Sequence, residues 1–443
     1  MNFRPEDLLL RLDELEIAAG SPSRYIIAFS GGLDSSVLLH ALVQTRQQHG
    51  KSLLAVHVDH RLQPDSEKWA THCERVANEF GVEFVGDAVT IDHNAGLGPE
   101  AAARDARYGV LRRHVGTTDW LLSAHHRDDQ AETLLINLLR GSGPAGIAGI
   151  PALRKFADGW LVRPLLEVSR NSLAKYAGKY GLKWIDDPSN EESRYERNFL
   201  RNEVLPLLDS RWPDASLRLS KSAGFAREAA ELLTEFADAD LASTGNTVDR
   251  LDVAALRALT PARQKNVLRR AINLAGLPPA SSRQLQSIID ELLPARDDAA
   301  PLVRWDGAEV RRFRDRVYLL AATPVPEFAG RRLSADPLSL GAGLGRLMLE
   351  QDSGPGLSED CVRAGLTLKL RAGGEEFKPL GQAHTRKLKK LLQEECIVPW
   401  MRDRLPLIYS GERLVAVADL WLASDVAVPG GAHVRWHDRP ALH

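Results

Sequence analysis

The sequence predicts an α/β fold that begins with a doubly wound parallel sheet and continues into a small, mainly helical region and then an α+β region. Between residues 25 and 122, short apolar runs alternate with longer helical patterns, as in a parallel sheet with helices on both faces. Three polar motifs, SGGLDSS, HVDH and AHHRDD, directly follow apolar runs. Because ligands of such sheets bind at the carboxyl ends of the strands, these motifs are the first candidates for a site.

The length of 443 residues predicts more than one hydrophobic core. We place an α/β domain that contains the three polar motifs at residues 1–215, a mainly helical domain at 216–322, and a basic α+β domain at 323–443. After Trp212 and Pro213 the strand signal fades, and Pro324 and Pro326 mark a linker. The stretch EVRRFRDRVYLL alternates like a strand, so the second region is mixed rather than a pure bundle.

Composition excludes several classes of protein. With 44% hydrophobic and 26% charged residues, the chain matches an ordinary soluble globular protein. It has no apolar stretch long enough to span a membrane, and its acidic N-terminus is not a secretory signal. Cys73, Cys361 and Cys396 are too few and too scattered for a disulfide framework or a Cys-x-x-Cys site, which predicts a reducing, cytoplasmic setting.

The stretch SGGLDSS stands between the strand-like YIIAF and the helix-like VLLHALV. A glycine-rich turn at this place exposes backbone N–H groups, and the positive end of the helix favours phosphate. Asp34 cannot donate to phosphate when it is ionised, so we expect it to hold Mg²⁺ or to orient a neighbour. The loop also offers two glycines and three hydroxyls: Gly31, Gly32, Ser30, Ser35 and Ser36. The alternative is a plain turn whose serine and aspartate cap the helix.

Two other nucleotide-binding patterns fail. Gly50-Lys51-Ser52 lacks the earlier glycine of GxxxxGK[ST] and precedes a strand, and the GxGxxG at residues 141–146 follows a helix. SGGLDSS instead resembles the PP-loop of the N-type ATP pyrophosphatases. The resemblance implies that residues 30–35, with Leu33 among them, hold ATP, that pyrophosphate leaves, and that AMP passes to a substrate oxygen.

A second motif, DDQAETLLINLLR, predicts an amphipathic helix. Its apolar residues share one face that we expect to be buried: Ala131, Leu134, Leu135, Leu138 and Leu139. Asp129, Glu132 and Thr133 lie on the other flank. Asp129 and Glu132 could bind Mg²⁺, act as a base for an amine, or merely complement the helix dipole. Of His125 and His126, which point to opposite sides, we expect at most one to face the site.

Six further motifs follow SGGLDSS in order: HVDHRLQPDS, EAAARDARY, HHRDDQAET, RGSGPAGIAGI, RPLL, and DDPSN with RNFLR. Together they resemble the bacterial tRNA(Ile)-lysidine synthetase family, and LRAGGEEF, RKLKKLLQE and IVPWMRDRLPLIY extend the resemblance towards the C-terminus. The resemblance implies ATP, Mg²⁺, free lysine and an isoleucine tRNA with a CAU anticodon as reactants and cofactors. It implies adenylation of the wobble cytidine, followed by displacement of AMP by the lysine amine.

Carried over motif by motif, the resemblance assigns roles to individual residues. The catalytic residues are Asp34, Asp129, Glu132 and Arg197; Asp34, Asp129 and Glu132 hold Mg²⁺; and His57 and His125 join the loop in binding ATP. Arg197 or Arg201 would stabilise the negative charge that develops during the reaction. Backbone contacts could replace His57 in the adenine pocket, and the division of roles between Asp129 and Glu132 stays open.

Basic residues predict the tRNA contacts. Arg104 and Arg107 share a helix face, and two segments, residues 260–289 and 378–390, contain five basic residues each and no acidic one. The expected tRNA-binding residues are Arg104, Arg107, Arg201, Arg269, Arg270, Lys387, Lys389 and Lys390. Within RKLKKLL, we expect the three leucine side chains to pack into the protein interior. The alternative for each group is a solvated helix face.

Two rival functions remain at this stage. One is another PP-loop ligase or sulfur transferase, although no cysteine falls in the site motifs. The other is a catalytically silent tRNA-binding protein, against which the intact SGGLDS and DDQAET argue. We expect no membrane association, and a homodimer is left open.

Overall fold

The computed structural model describes residues 2–59, 66–89, 99–188, 192–245, 247–296, 299–322, 324, 326 and 328–442. Parts of two motifs, residues 60–65 and 189–190, therefore lie outside the described residues. The chain divides into two units, Met1–Leu232 and Leu233–His443, and the boundaries at residues 215 and 322 stay predictions. None of the described helices could cross a membrane.

The first unit is built on a six-stranded sheet. Its strands are β1 (Arg24–Ala28), β2 (Ser52–Asp59), β3 (Glu83–Ala88), β4 (Asp119–Leu122), β5 (Leu153–Phe156) and β6 (Gly159–Val162). Their order is β3-β2-β1-β4-β6-β5, and every neighbouring pair is parallel except the hairpin of β5 and β6. The predicted parallel sheet is confirmed. Because the chain steps from β1 to β2 on one side and places β4 on the other, a crevice opens at the carboxyl ends of β1 and β4.

Helices cover both faces of this sheet. They are α1 (Pro5–Ala19), α2 (Leu33–Gln44), α3 (Arg46–His49), α4 (Ser66–Glu79), α5 (Pro99–His114), α6 (Arg127–Leu139), α7 (Pro144–Ile147), α8 (Arg170–Tyr180), α9 (Glu196–Phe199), a π-helical turn (Leu200–Val204) and α10 (Leu205–Arg211). Successive residues of β1 point to opposite cores: Tyr25 and Ile27 pack with α1, α2 and α8, whereas Ile26 packs with α5. The unit is therefore doubly wound, as predicted.

The second unit begins within the long helix α11 (Ala215–Thr244). There follow β7 (Arg250–Asp252), α12 (Val253–Ala258), α13 (Pro261–Leu274), α14 (Ser282–Ser287), a π-helical turn (Ile288–Leu292), β8 (Leu302–Trp305), β9 (Ala308–Phe313) and β10 (Arg316–Ala321). The four strands form one antiparallel sheet in the order β7-β10-β9-β8, and they share a core with the helices. The strand expected in EVRRFRDRVYLL is confirmed as β9 and β10.

The C-terminal region is rich in short strands and has its own core. Its elements are β11 (Arg332–Leu333), β12 (Leu338–Ser339), β13 (Arg346–Gln351), β14 (Pro355–Leu357), α15 (Glu359–Arg363), β15 (Leu366–Lys369), β16 (Glu376–Phe377), β17 (Arg386–Lys387), α16 (Leu388–Glu394), α17 (Pro399–Arg402), β18 (Leu407–Ser410), β19 (Arg413–Val417), β20 (Trp421–Leu422), β21 (Ala427–Pro429) and β22 (Ala432–His437). They form two five-stranded sheets and one strand pair, which confirms the α+β prediction.

Candidate active site

The glycine-rich loop lies between the end of β1 and the start of α2. The Ser30 and Ser35 hydroxyls are 3.0 Å apart, and the Ser35 hydroxyl also donates to the Gly32 carbonyl at 3.1 Å. Because α2 begins at Leu33, the N–H groups of its first turn have no acceptor within the helix. The loop therefore offers backbone donors and hydroxyls at the positive end of a helix, which suits a phosphate group.

Gly31 is required by its backbone conformation and by its surroundings. Its φ is +80°, and an added Cβ would lie 2.6 Å from the Cys73 sulfur. The Cys73 side chain thus packs directly against the loop at Gly31, although Cys73 falls in no sequence motif. Burial raises the pKa of this thiol to about 12, so it stays protonated and is not a nucleophile.

His126 joins the loop to the start of α6. Its Nε2 lies 3.5 Å from a carboxylate oxygen of Asp34 and 3.5 Å from one of Asp129. Its backbone N–H donates to the same Asp129 carboxylate at 2.9 Å. Asp34 and Asp129, two predicted site residues that are far apart in the sequence, therefore meet around His126, which the sequence analysis named beside His125 but to which it assigned no role.

The charges in this cluster shift one another's pKa. Burial alone would lower the pKa of His126, but Asp129 and then Asp34 outweigh it and raise the pKa. Burial would likewise raise the pKa of Asp129, yet His126, His125 and the two arginines of the RNFLR motif hold it below its usual value. Asp129 is therefore an anion at neutral pH.

Glu132 is fully buried and binds two arginines. Arg197 Nε donates to one carboxylate oxygen at 2.8 Å, and Arg201 Nε donates to the other at 2.7 Å. Arg201 Nη2 lies 3.1 Å from Glu132 and 3.0 Å from Asp129. Both arginines come from the segment that contains α9 and the π-helical turn. Their ion pairs therefore hold this segment against the first turns of α6.

The expected buried face of α6 is only partly correct. Ala131 and Leu134 are buried, but Leu138 and Leu139 are 48% and 81% exposed, whereas Glu132 is fully buried. The prediction was wrong for the two leucines at the end of the helix, and it did not anticipate a buried carboxylate at its start. Two guanidinium partners make the burial of Glu132 tolerable, and they come from a distant segment.

The two histidines predicted to bind ATP are both neutral. The Nδ1 of His57 donates to the Phe29 carbonyl at 2.9 Å, and burial lowers the pKa of the ring, so Nε2 remains as an acceptor. His125 contacts the Ser123 hydroxyl at 2.7 Å, and mainly burial lowers its pKa to about 3. His57 lies near the end of β2 and His125 follows β4, but neither ring is a cation that could hold phosphate.

The predicted tRNA-binding residues fall in separate places. Arg104 and Arg107 lie on α5 in the first unit, and Arg201 belongs to the buried network beside Glu132. In the second unit Arg269 is exposed, but Arg270 pairs with Asp238 of α11 at 2.6 Å. Asp238 lies outside the basic segment 260–289, and its carboxylate neutralises part of the positive charge of that segment.

The C-terminal basic segment keeps its cations exposed. Lys387, Lys389 and Lys390 are exposed, while the three leucines of the segment are buried: Leu388, Leu391 and Leu392. The packing expected for these leucines is confirmed. The basic side chains remain available to a polyanion.

A cavity of about 530 Å³ opens beside the loop. Its lining combines carboxylates, guanidinium groups and an indole, and includes Leu33, Asp128, Arg170, Trp184, Asp186 and Arg201. Such a mixture of charges suits a zwitterion better than a simple anion. Sequence motifs had flagged the DDPSN and RNFLR segments but not the cavity that they help to form.

Comparisons with known proteins cover most of the chain. A PP-loop domain model matches residues 10–208, a TilS substrate binding domain model matches 251–318, and a TilS substrate C-terminal domain model matches 366–437. A tRNA(Ile)-lysidine synthase from Coxiella burnetii is 41% identical over 94% of this chain and 92% of its own length. Enzymes of the same name from Methylococcus capsulatus and Alkalilimnicola ehrlichii are each 40% identical, over 94% and 95% of this chain and 96% and 94% of their own lengths.

Proposed function

The chain belongs to the tRNA(Ile)-lysidine synthase family, whose members are PP-loop ligases that use ATP and tRNA, and from this premise we propose its reaction. It joins free lysine to carbon 2 of the wobble cytidine in the CAU anticodon of an isoleucine tRNA. The products are lysidine, AMP and pyrophosphate. The modified anticodon reads AUA instead of AUG, and the tRNA identity changes from methionine to isoleucine. The observation that carries this proposal is the meeting of Asp34 and Asp129 around His126 at the edge of the phosphate loop.

The first step is adenylation of the base. The cytosine O2 attacks the α-phosphorus of ATP, the bond from that phosphorus to the bridging oxygen breaks, and pyrophosphate leaves. The N–H groups and hydroxyls of the loop hold the pyrophosphate end, where negative charge collects. Arg197 and Arg201, whose guanidinium groups are held in place by Glu132, stabilise the same developing charge.

The second step forms the new C–N bond. The side-chain amine of lysine, in its neutral form, attacks carbon 2, the bond from that carbon to the AMP oxygen breaks so that AMP leaves with the electron pair, and the new nitrogen releases a proton to solvent. With its lowered pKa, Asp129 is a weak base and is better suited to bind a cation. We place free lysine in the cavity beside Leu33, where carboxylates can receive its ammonium groups and arginines its carboxylate.

The carboxylates of Asp34, Asp129 and Glu132 differ in how well they are suited to bind Mg²⁺. One oxygen of Asp34 is buried and has no hydrogen-bond partner among the described residues, which suits an additional ligand. Among the described residues no group of three or more potential ligands is preformed, but Mg²⁺ usually takes one or two carboxylates together with substrate phosphates. When bound, Mg²⁺ would neutralise charge on the departing pyrophosphate. We keep Asp34 and Asp129 as proposed ligands and assign Glu132 to hold the arginines.

Exchange of labelled pyrophosphate into ATP tests the order of the steps. We expect exchange with the CAU-anticodon tRNA in the absence of lysine, because adenylation of the base is then reversible. Exchange that needs lysine but no tRNA would show activation of the amino acid and overturn the proposal. Exchange with tRNA but no uptake of lysine would indicate another PP-loop enzyme. A cytoplasmic location and the oligomeric state stay predictions.

A further inference from the structure

Two aromatic rings on the first unit are surrounded by arginines. The rings of Tyr108 on α5 and Phe156 on β5 touch edge to face, with centroids 5.5 Å apart. Four guanidinium groups lie over them, and we call these the arginine cluster: Arg104, Arg107, Arg112 and Arg154. Arg104, Arg107 and Arg154 lie 5.1, 5.8 and 6.0 Å from the Tyr108 ring centroid, and Arg112 lies 5.2 Å from the Phe156 ring centroid.

Among the described residues, no carboxylate forms an ion pair with Arg104, Arg112 or Arg154, so the charges of these three cluster members are not compensated. A fifth arginine, Arg163, lies beneath them at 2% exposure, and its Nε has no hydrogen-bond partner among the described residues. Like charges this close raise one another's free energy in the absence of a ligand. Such an arrangement indicates an anionic ligand.

The cluster lies next to the candidate active site. Arg163 directly follows Val162, whose carbonyl accepts from the Ser123 N–H at 3.0 Å just before His125. Arg163 and Arg107 are also among the charges that lower the pKa of His125. Arg104, Arg112 and Arg154 are exposed, and Tyr108 is half-buried. The surface therefore runs outward from the site and offers guanidinium groups together with part of an aromatic face.

We propose that the arginine cluster binds the RNA backbone beside the target nucleotide, within the single-stranded loop of the anticodon. This inference rests on the proposed function, and it extends the predicted pair Arg104 and Arg107 to Arg112 and Arg154. Guanidinium groups bind phosphate oxygens in bidentate fashion, and unpaired bases stack on aromatic side chains. The phosphates of ATP have their own donors in the glycine-rich loop, which leaves this surface to the RNA.

The test compares the loss of two exposed cations, one on α5 and one on β5, with the loss of a neighbouring cation on β5. The double variant Arg112→Gln/Arg154→Gln removes half of the cluster. The matched control is Lys155→Gln, because Lys155 follows Arg154 directly but lies over the Trp160 ring, 3.9 Å from its centroid. The probe is a fluorescent RNA hairpin with the CAU anticodon loop, whose binding to the full-length protein is measured at several salt concentrations.

We expect the double variant to bind the hairpin at least tenfold more weakly. The slope of log K against log salt should become shallower by about 1.4, which corresponds to two lost single-strand phosphate contacts. Lys155→Gln should bind like the unaltered protein. Thermal unfolding of each variant checks the fold, and the single variant Arg154→Gln replaces the double variant if that one is unstable.

Three outcomes would overturn the inference: unchanged binding by the double variant, an equal loss with Lys155→Gln, or a higher KM for ATP with unchanged hairpin affinity, which would indicate a nucleotide site. Failure of the proposed function is distinguishable. If the unaltered protein makes no lysidine but the double variant still loses hairpin affinity, the RNA surface stands and the reaction is wrong.

Discussion

Arg201 and Glu132 form a bidentate ion pair in which Nε and Nη2 of the arginine reach the two oxygens of a fully buried carboxylate, at 2.7 and 3.1 Å. Glu132 also accepts from Arg197. Its oxygens are thus engaged by protein donors, and the proposed role of Glu132 is to act on the reaction through the arginines.

A double-mutant cycle tests this role of Glu132. Glu132→Gln and Arg201→Lys should each slow tRNA-dependent pyrophosphate exchange, and the double variant should be little worse than the more damaging single one. The expected coupling is about 1–3 kcal/mol, because both changes remove the same interaction. Additive losses would mean that Glu132 also contacts a ligand, as a metal site at this residue would require.

Asp34 is expected to control the response to Mg²⁺. Asp34→Asn should raise the Mg²⁺ concentration for half-maximal exchange by about tenfold or more, because its unpartnered oxygen is lost as an anionic ligand. Asp128→Asn is the control, since that carboxylate already accepts from the Arg170 N–H at 2.8 Å. Equal Mg²⁺ dependence in the two variants would remove Asp34 from the metal site.

The loop glycines should differ in their tolerance of a methyl group. Gly31→Ala combines a strained φ with a clash against Cys73, so ATP should bind about tenfold more weakly or worse, which corresponds to about 1.4 kcal/mol. Gly32→Ala meets nothing closer than 3.6 Å and should bind ATP nearly normally. Replacing Cys73 by Ala should relieve only the clash in Gly31→Ala. Equal effects at both glycines, measured by ATP titration, would contradict this.

Asp119 should stabilise the sheet in a pH-dependent way. Burial opposes its charge, but hydrogen bonds from Arg24 and Gly116 outweigh burial and lower its pKa. A lowered pKa means stability that is present above the unfolded value of about 3.9 and is lost as the pH falls through the folded value. Asp119→Asn should cost about 1–3 kcal/mol of unfolding free energy at pH 7, and the difference should shrink below about pH 4. Denaturant unfolding at both pH values checks this, and a constant difference would refute it.

The sequence predicted the parts of the site that depend on local patterns. The apolar runs gave the parallel sheet, and the sheet placed Asp34 and Asp129 at the same edge. The ion pairs of Glu132 could not be predicted, because Arg197 and Arg201 are 65 and 69 residues away. A leucine pattern likewise does not reveal that Leu138 and Leu139 are exposed.

The feature least predictable from the sequence was whether a basic side chain is paired within the protein or available to a ligand. Arg270 looked like part of an uncompensated patch, but Asp238 on α11 pairs with it. Arg112 showed no signal in the sequence, yet it lies over Phe156, 44 residues away. In both cases a tertiary contact decides whether a cation is available to a ligand.

Transfer of labelled lysine to RNA tests the central claim most directly. The protein is incubated with ATP, Mg²⁺, labelled lysine and the CAU-anticodon isoleucine tRNA, and the label is followed into the wobble nucleoside. We expect one lysine per tRNA, with release of AMP and pyrophosphate, and no transfer to a tRNA whose wobble cytidine is replaced by uridine. Folded protein that binds both ATP and the tRNA but transfers no lysine would contradict the account.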